Sequence, residues 1–248
     1  MKKLLKPRFL PAVAAGLGGI ALVLRRLLYG LGVDGKGLPV SGHPLETALI
    51  VLTGSVLLGI ALKAESLYGS EEYADNFRAD KPAAVGHLLA AAGIYLTAIT
   101  HQPLMPNYIG QLWQCLGYLA PVCLALAGYC RFRGQKPFFL LHLIPCLFLV
   151  FHIVDHYQLW SGNPRMQDYV FALLGAMALM FFAFYSAAFS VGMGNRRLHL
   201  GMGLAAVYLC LAELAATEYP FLYLGGAAWA LTGMCNPKPR RRRPAKEA

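Results

Sequence analysis

Charged side chains are the scarcest feature of this chain. Asp, Glu, Lys and Arg make up 14% of its 248 residues, where soluble domains carry about 25%. That scarcity excludes an ordinary cytosolic enzyme and a disordered chain. No two of the six cysteines (Cys115, Cys123, Cys130, Cys146, Cys210 and Cys235) form a C-x-x-C pair. All lie in apolar runs and read as small buried hydrophobes, not as the staples of a secreted disulfide scaffold. No phosphate-cradling glycine loop, nucleophile elbow or soluble catalytic domain is visible.

What is abundant is apolar. Hydrophobic residues make up 57% of the chain, and its mean hydropathy is +0.51. The net charge of +10 does not point to nucleic acid, because the basic residues fall in short clusters between apolar runs, the pattern of membrane orientation. The expected fold is all-α. Helix is the only open choice, because unpaired backbone groups are costly in lipid and strand-like alternation is absent.

A bilayer core about 30 Å thick needs about 20 apolar residues in a helix. The long run 82–130 is broken by His101-Gln102-Pro103-Leu104-Met105-Pro106-Asn107, a polar stretch with two prolines that reads as a turn. Eight transmembrane helices follow, near 8–28, 45–66, 83–100, 111–130, 138–158, 168–193, 198–216 and 219–235. With the N-terminus in the cytoplasm, the outside segments carry only Arg25, Arg26, Lys36 and Arg165 as basic residues. The inside segments carry all the others, ending in the cluster Lys238 to Lys246. A multi-pass protein of the plasma membrane with both termini cytoplasmic is expected. The first span ends in Arg25-Arg26 and not in a small-residue cleavage site, so it reads as a span and not a signal peptide.

Five short motifs recur in order along the two halves. Lys6-Pro7 matches Lys136-Pro137, and Ser41-Gly42-His43-Pro44 matches Ser161-Gly162-Asn163-Pro164. His87 with Tyr95-Leu96 matches His199 with Tyr208-Leu209. Thr100-x-x-Pro103 matches Thr217-x-x-Pro220, and Ala125-Leu126-x-Gly128-x-Cys130 matches Ala230-Leu231-x-Gly233-x-Cys235. Their colinearity predicts two four-span repeats, residues 1–135 and 136–237, followed by a basic cytoplasmic tail, 238–248. Four spans is an even number, so the halves would run parallel about an axis along the membrane normal.

The repeat sets Arg25 and Arg26 opposite Asp155 and His156, and suggests that one of these arginines pairs with Asp155 across the axis. Glu213 is the acid deepest in any later span and is a candidate for proton or cation handling. His152-x-x-Asp155-His156 puts two imidazoles and a carboxylate on one helix face. With His101 brought near by the topology, these histidines are candidate ligands for a zinc ion. Glu213 or Glu218 would then be general base toward a lipid ester or amide. His87, His142 and His199 lie near inner helix ends and read as interfacial residues, with a symmetric haem pair at His87 and His199 the competing reading. Aromatics such as Tyr108, Trp113, Tyr157, Trp160, Tyr169, Tyr219 and Tyr223 read as an outer-interface belt. The loop 66–82 reads as a solvated surface segment. The tail suits anionic lipid.

Three functions stay open on these residues. The first is a carrier or membrane subunit handling a small solute or ion between the halves, as a homo-oligomer or with a partner membrane subunit. The second is a metal-dependent membrane hydrolase at the outer leaflet. The third is a non-catalytic module for sensing or assembly. The basic tail makes one definite prediction: a reporter fused at the C-terminus that functions only in the cytoplasm will be active, and one that functions only outside will be silent.

Overall fold

The computed structural model describes residues 9–32, 43–64, 70–104, 108–161 and 166–235, with the side chains of 158–161, 166–168 and 235 left aside. Lys6-Pro7, Ser41-Gly42, Gly162-Asn163-Pro164, Lys36, Arg165 and the tail 238–248 lie outside the described residues, as do the side chains of Trp160 and Asp168.

No strand occurs among the described residues. The helices are α1 (Leu10–Leu31), α2 (Pro44–Ala64), the single turn α3 (Tyr73–Asn76), α4 (Lys81–Thr100), α5 (Tyr108–Arg133), α6 (Leu140–Ser161), α7 (Met166–Ser190), α8 (Arg196–Glu213) and α9 (Pro220–Cys235). Each long helix falls within a few residues of an apolar run marked in the sequence. Gly134 stops α5 with φ +71°. It supplies the left-handed residue of a cap in which the Gln135 amide donates to the Cys130 carbonyl at 2.9 Å.

Six of these helices, α1, α2 and α4 to α7, are long and apolar enough to cross a membrane. They give the chain the make-up of a multi-pass membrane protein. The other two differ for physical reasons. Helix α9 has 16 residues, about 24 Å at 1.5 Å per residue. Helix α8 carries Arg196, Arg197, His199 and Glu213 within its 18 residues. Helix α8 is also deeply enclosed: eight consecutive residues, Gly203 to Cys210, are buried on every face.

The packing explains that enclosure. Helices α4, α5, α6, α7, α8 and α9 each pack on the next, and α9 closes back onto α4. The result is a ring of six. Helices α1 and α2 lie against the outside of α8, where the Tyr208 hydroxyl of α8 donates to Thr53 Oγ1 of α2 at 2.8 Å. Thr53 spends its own proton on the Leu49 carbonyl. Outward positions of α2 and α4, such as Ile50, Leu58, Leu62, Val85, Leu88 and Ile99, are exposed and apolar, as a lipid-facing surface requires. In the second half α7 packs closely on α8, whereas in the first half α2 packs on α1 and α8.

Ring closure depends on the α4–α9 crossing, the most extensive in the bundle. A β-carbon on Gly225 would lie 2.8 Å from the Leu89 carbonyl oxygen, and one on Gly93 would collide with the Phe221 carbonyl. Only glycines let these backbones approach so closely. Gly93→Ala is therefore expected to lower stability by about 1–3 kcal/mol. Gly16→Ala, with open space around its β-carbon, should be neutral. Thermal unfolding of the two variants in detergent checks the difference.

Candidate functional site

Buried ionisable side chains inside a lipid-facing bundle are costly unless partnered, so each one marks a place where the fold supplies a partner. The first is Arg25 on α1. It forms an ion pair with Glu213 on α8 and also donates to the Ala212 carbonyl at 3.3 Å. The side chains are 3% and 4% exposed. The Phe171 ring lies 4.8 Å from the guanidinium. Arg26 donates to the Ala215 carbonyl at 2.8 Å. The ion partner of Arg25 is thus Glu213, not the expected Asp155, because α1 packs on α8. Asp155 instead accepts the Leu104 amide at 3.0 Å, tying the α4–α5 turn to α6.

Around Asp155 the ring holds a cluster from four elements. The rings of His152 and His156 of α6 are tilted by 44°, with centres 4.1 Å apart. The ring of Tyr219, just before α9, lies 4.6 Å from His101, 5.2 Å from His152 and 4.7 Å from His156. Trp113 of α5 covers the other side and donates from Nε1 to His152 Nδ1 at 3.3 Å. Trp113, Tyr219 and Tyr223 are buried, so these three are not the interfacial belt that their types suggest. The Tyr223 hydroxyl donates to the Ala172 carbonyl at 3.0 Å.

Hydrogen bonds set the tautomers here. His156 Nδ1 faces the His152 carbonyl at 2.7 Å, and a carbonyl only accepts, so the proton is on Nδ1. His101 Nδ1 donates to Thr100 Oγ1 at 2.8 Å, because Thr100 gives its own proton to the Leu96 carbonyl. His152 is the reverse. Its Nδ1 accepts from Trp113, so Nε2 carries the proton. A metal-ligating histidine donates its second ring nitrogen to an acceptor, and His152 cannot. Accordingly, no group of three or more His, Cys, Asp or Glu poised to hold a metal occurs among the described residues. His101, His152 and His156 do come together, as an aromatic cluster around Tyr219.

The opposite end of the ring holds a second cluster, about 15 Å along α6 by the ten-residue rise from His152 to His142. His87 of α4, His142 of α6 and His199 of α8 are all buried, which corrects their reading as interfacial residues. His87 Nδ1 donates to the Ala83 carbonyl at 2.7 Å. Its Nε2 lies 3.3 Å from His142 Nε2 and must accept from it. That leaves the His142 Nδ1 lone pair buried without a partner. Ser186 gives its proton to the Phe182 carbonyl, so its oxygen accepts from His199 Nε2 at 3.1 Å. The three imidazoles line a cavity of about 30 Å³ with Arg131, Tyr73, Phe77, Trp229 and neighbours. Between the two clusters the ring is filled by apolar side chains, among them Leu124, Phe148 and Leu149.

The segment 70–80 closes this end. It is not the solvated loop its charges imply. Tyr73, Asn76 and Asp80 are 9%, 3% and 6% exposed. Phe77 packs edge-on against His199 and Phe189 and lies 4.4 Å from the Arg131 guanidinium. The Asp80 amide donates to the Arg131 carbonyl at 3.2 Å, and Gly194 donates to Glu71. Burial raises the pKa of the Tyr73 phenol above its ordinary value, with the Arg131 guanidinium opposing part of that rise. Reading by sequence missed Arg131, which stands in a basic inner cluster and looks like any orientation signal. Its distinguishing neighbours come from α3, 50 or more residues away.

No family model, curated protein or solved structure matches the chain.

The Arg25–Glu213 pair generates the sharpest test of these interactions. Removing either partner, as in Arg25→Met or Glu213→Leu, strands a buried charge and should cost about 3–5 kcal/mol. The double variant removes both charges and should recover most of that loss, as a double-mutant cycle of unfolding free energies will register.

Proposed function

We propose that the chain is a membrane carrier or carrier subunit that handles a small solute or ion inside its six-helix ring. The observation that carries this reading is the placement of two buried histidine clusters at opposite ends of one ring interior, on a common stripe of α6. An ordinary packed bundle has no use for five histidines and Arg131 in its core, since each must be desolvated and hydrogen-bonded. A carrier needs polar groups at both ends and an apolar layer that opens to one side at a time. The segment 70–80 is suited to act as the closure at the Arg131 end. Arg25 and Glu213 hold α1 to α8 and are assigned to positioning, with Asp155 tying down the turn beside the other cluster.

In the finer form of the proposal all eight long helices span, both termini lie in the cytoplasm of a plasma-membrane protein, and the basic tail rests on anionic lipid. Helix α8 crosses within the bundle and so needs less apolar length, and α9 turns Phe221 and Leu224 outward. The two halves are taken as parallel repeats, on the colinear motifs.

Flux into vesicles tests the reading. Protein reconstituted into liposomes, loaded with an ion-responsive dye and given gradients of protons, sodium or small anions, should pass at least one of these faster than empty vesicles. His142→Leu should bring that flux down toward the empty-vesicle baseline. Flux equal to empty vesicles under every gradient would sink the carrier reading.

A further inference from the structure

Arg131 places a buried guanidinium at the closed end of the ring, on the wall of its cavity. It is 5% exposed, and neither of its terminal nitrogens has a hydrogen-bond partner. The Arg25–Glu213 and His156–Asp155 pairs do not involve Arg131. A guanidinium cannot shed its proton to escape this cost. A buried cation without an anion is among the most unfavourable arrangements a fold can hold. The Phe77 ring occupies a position 4.4 Å from the guanidinium carbon, which accounts for contact with an aromatic but satisfies no N–H. Arg131 also lines the cavity shared by His87, His142 and His199.

We infer that this cavity is a binding site for a small planar oxyanion of the carboxylate type. Sign, shape and size each support this. The cavity's one fixed charge is positive. The planar fork of a guanidinium matches two oxygens of a planar anion in a bidentate pair, which a spherical ion cannot reproduce. A cavity of about 30 Å³ limits the occupant to the smallest planar oxyanions, formate first, and excludes a phosphodiester headgroup. The bare His142 Nδ1 adds an acceptor for an anion that carries a proton, such as bicarbonate, or for a proton taken up alongside a carboxylate. The walls are apolar at Ala127, Phe182 and Trp229, which strengthens the charge pairing by excluding water.

This inference deepens the carrier reading, and rests on it only for the route by which the anion arrives. Titration calorimetry of the full chain in detergent tests it directly, with sodium formate, acetate and bicarbonate added at ionic strength held constant by gluconate. Saturable binding of a planar anion, tighter than that of chloride, is expected. Arg131→Gln should abolish it, and Arg131→Lys, which keeps the charge but loses the fork, should weaken it by about tenfold or more. The unfolding temperature of each variant without anion shows whether it has folded. The wild-type titration decides independently: no saturable heat with any planar anion, or chloride bound as tightly as formate, overturns the site. Formate binding without vesicle flux supports the site and sinks the carrier reading alone. Flux without formate binding overturns the site alone.

Discussion

The interior of this bundle exists because α4 and α9 can touch backbone to backbone. In lipid there is no hydrophobic force to press helices together, so association depends on close packing and on hydrogen bonds. Gly86, Gly93 and Gly225 leave no β-carbon between the two helices, and the ring closes on that contact. Once closed, it encloses a space away from lipid. Only such a space can hold five buried histidines, since polar side chains on the outer face would meet hydrocarbon.

Hydrogen bonds then decide the chemistry of each enclosed imidazole. Trp113 donates to His152 Nδ1 and so leaves the imidazole proton on Nε2. The Ala83 carbonyl turns His87 into an acceptor, which draws the one proton of His142 toward it and leaves Nδ1 bare. The two clusters contain the same residue type and differ in charge. The Asp155 end has a carboxylate held by a backbone amide. The Arg131 end has a guanidinium on the cavity wall and the buried Asp80 on the segment that closes it.

Most of the architecture was legible in the chain. The break at Pro103 and Pro106 separates α4 from α5 as expected, and the other long helices follow the apolar runs, because helix length in lipid is set by a simple count of apolar residues. The candidate residues were legible in kind. Glu213, Arg25 and His152 are all buried, as ionisable groups in apolar runs are when they have partners. Their partners were not legible. Arg25 meets Glu213 across 188 positions, and no spacing rule spans that distance. Loop 66–82 misled because Glu71, Glu72, Asp75 and Arg78 face outward while Tyr73, Asn76 and Asp80 are buried, an arrangement with no period to detect in so short a segment.

By itself, then, the sequence determined a helical membrane-type chain, its turns and a short roster of buried polar residues, because these follow from local composition and helix geometry. Only the tertiary structure decided which helices close the ring, which imidazole donates and which accepts, and that Arg131 is drawn into the cavity wall. Those outcomes depend on contacts between distant segments, where one added β-carbon or one misplaced proton changes what can pack or bind.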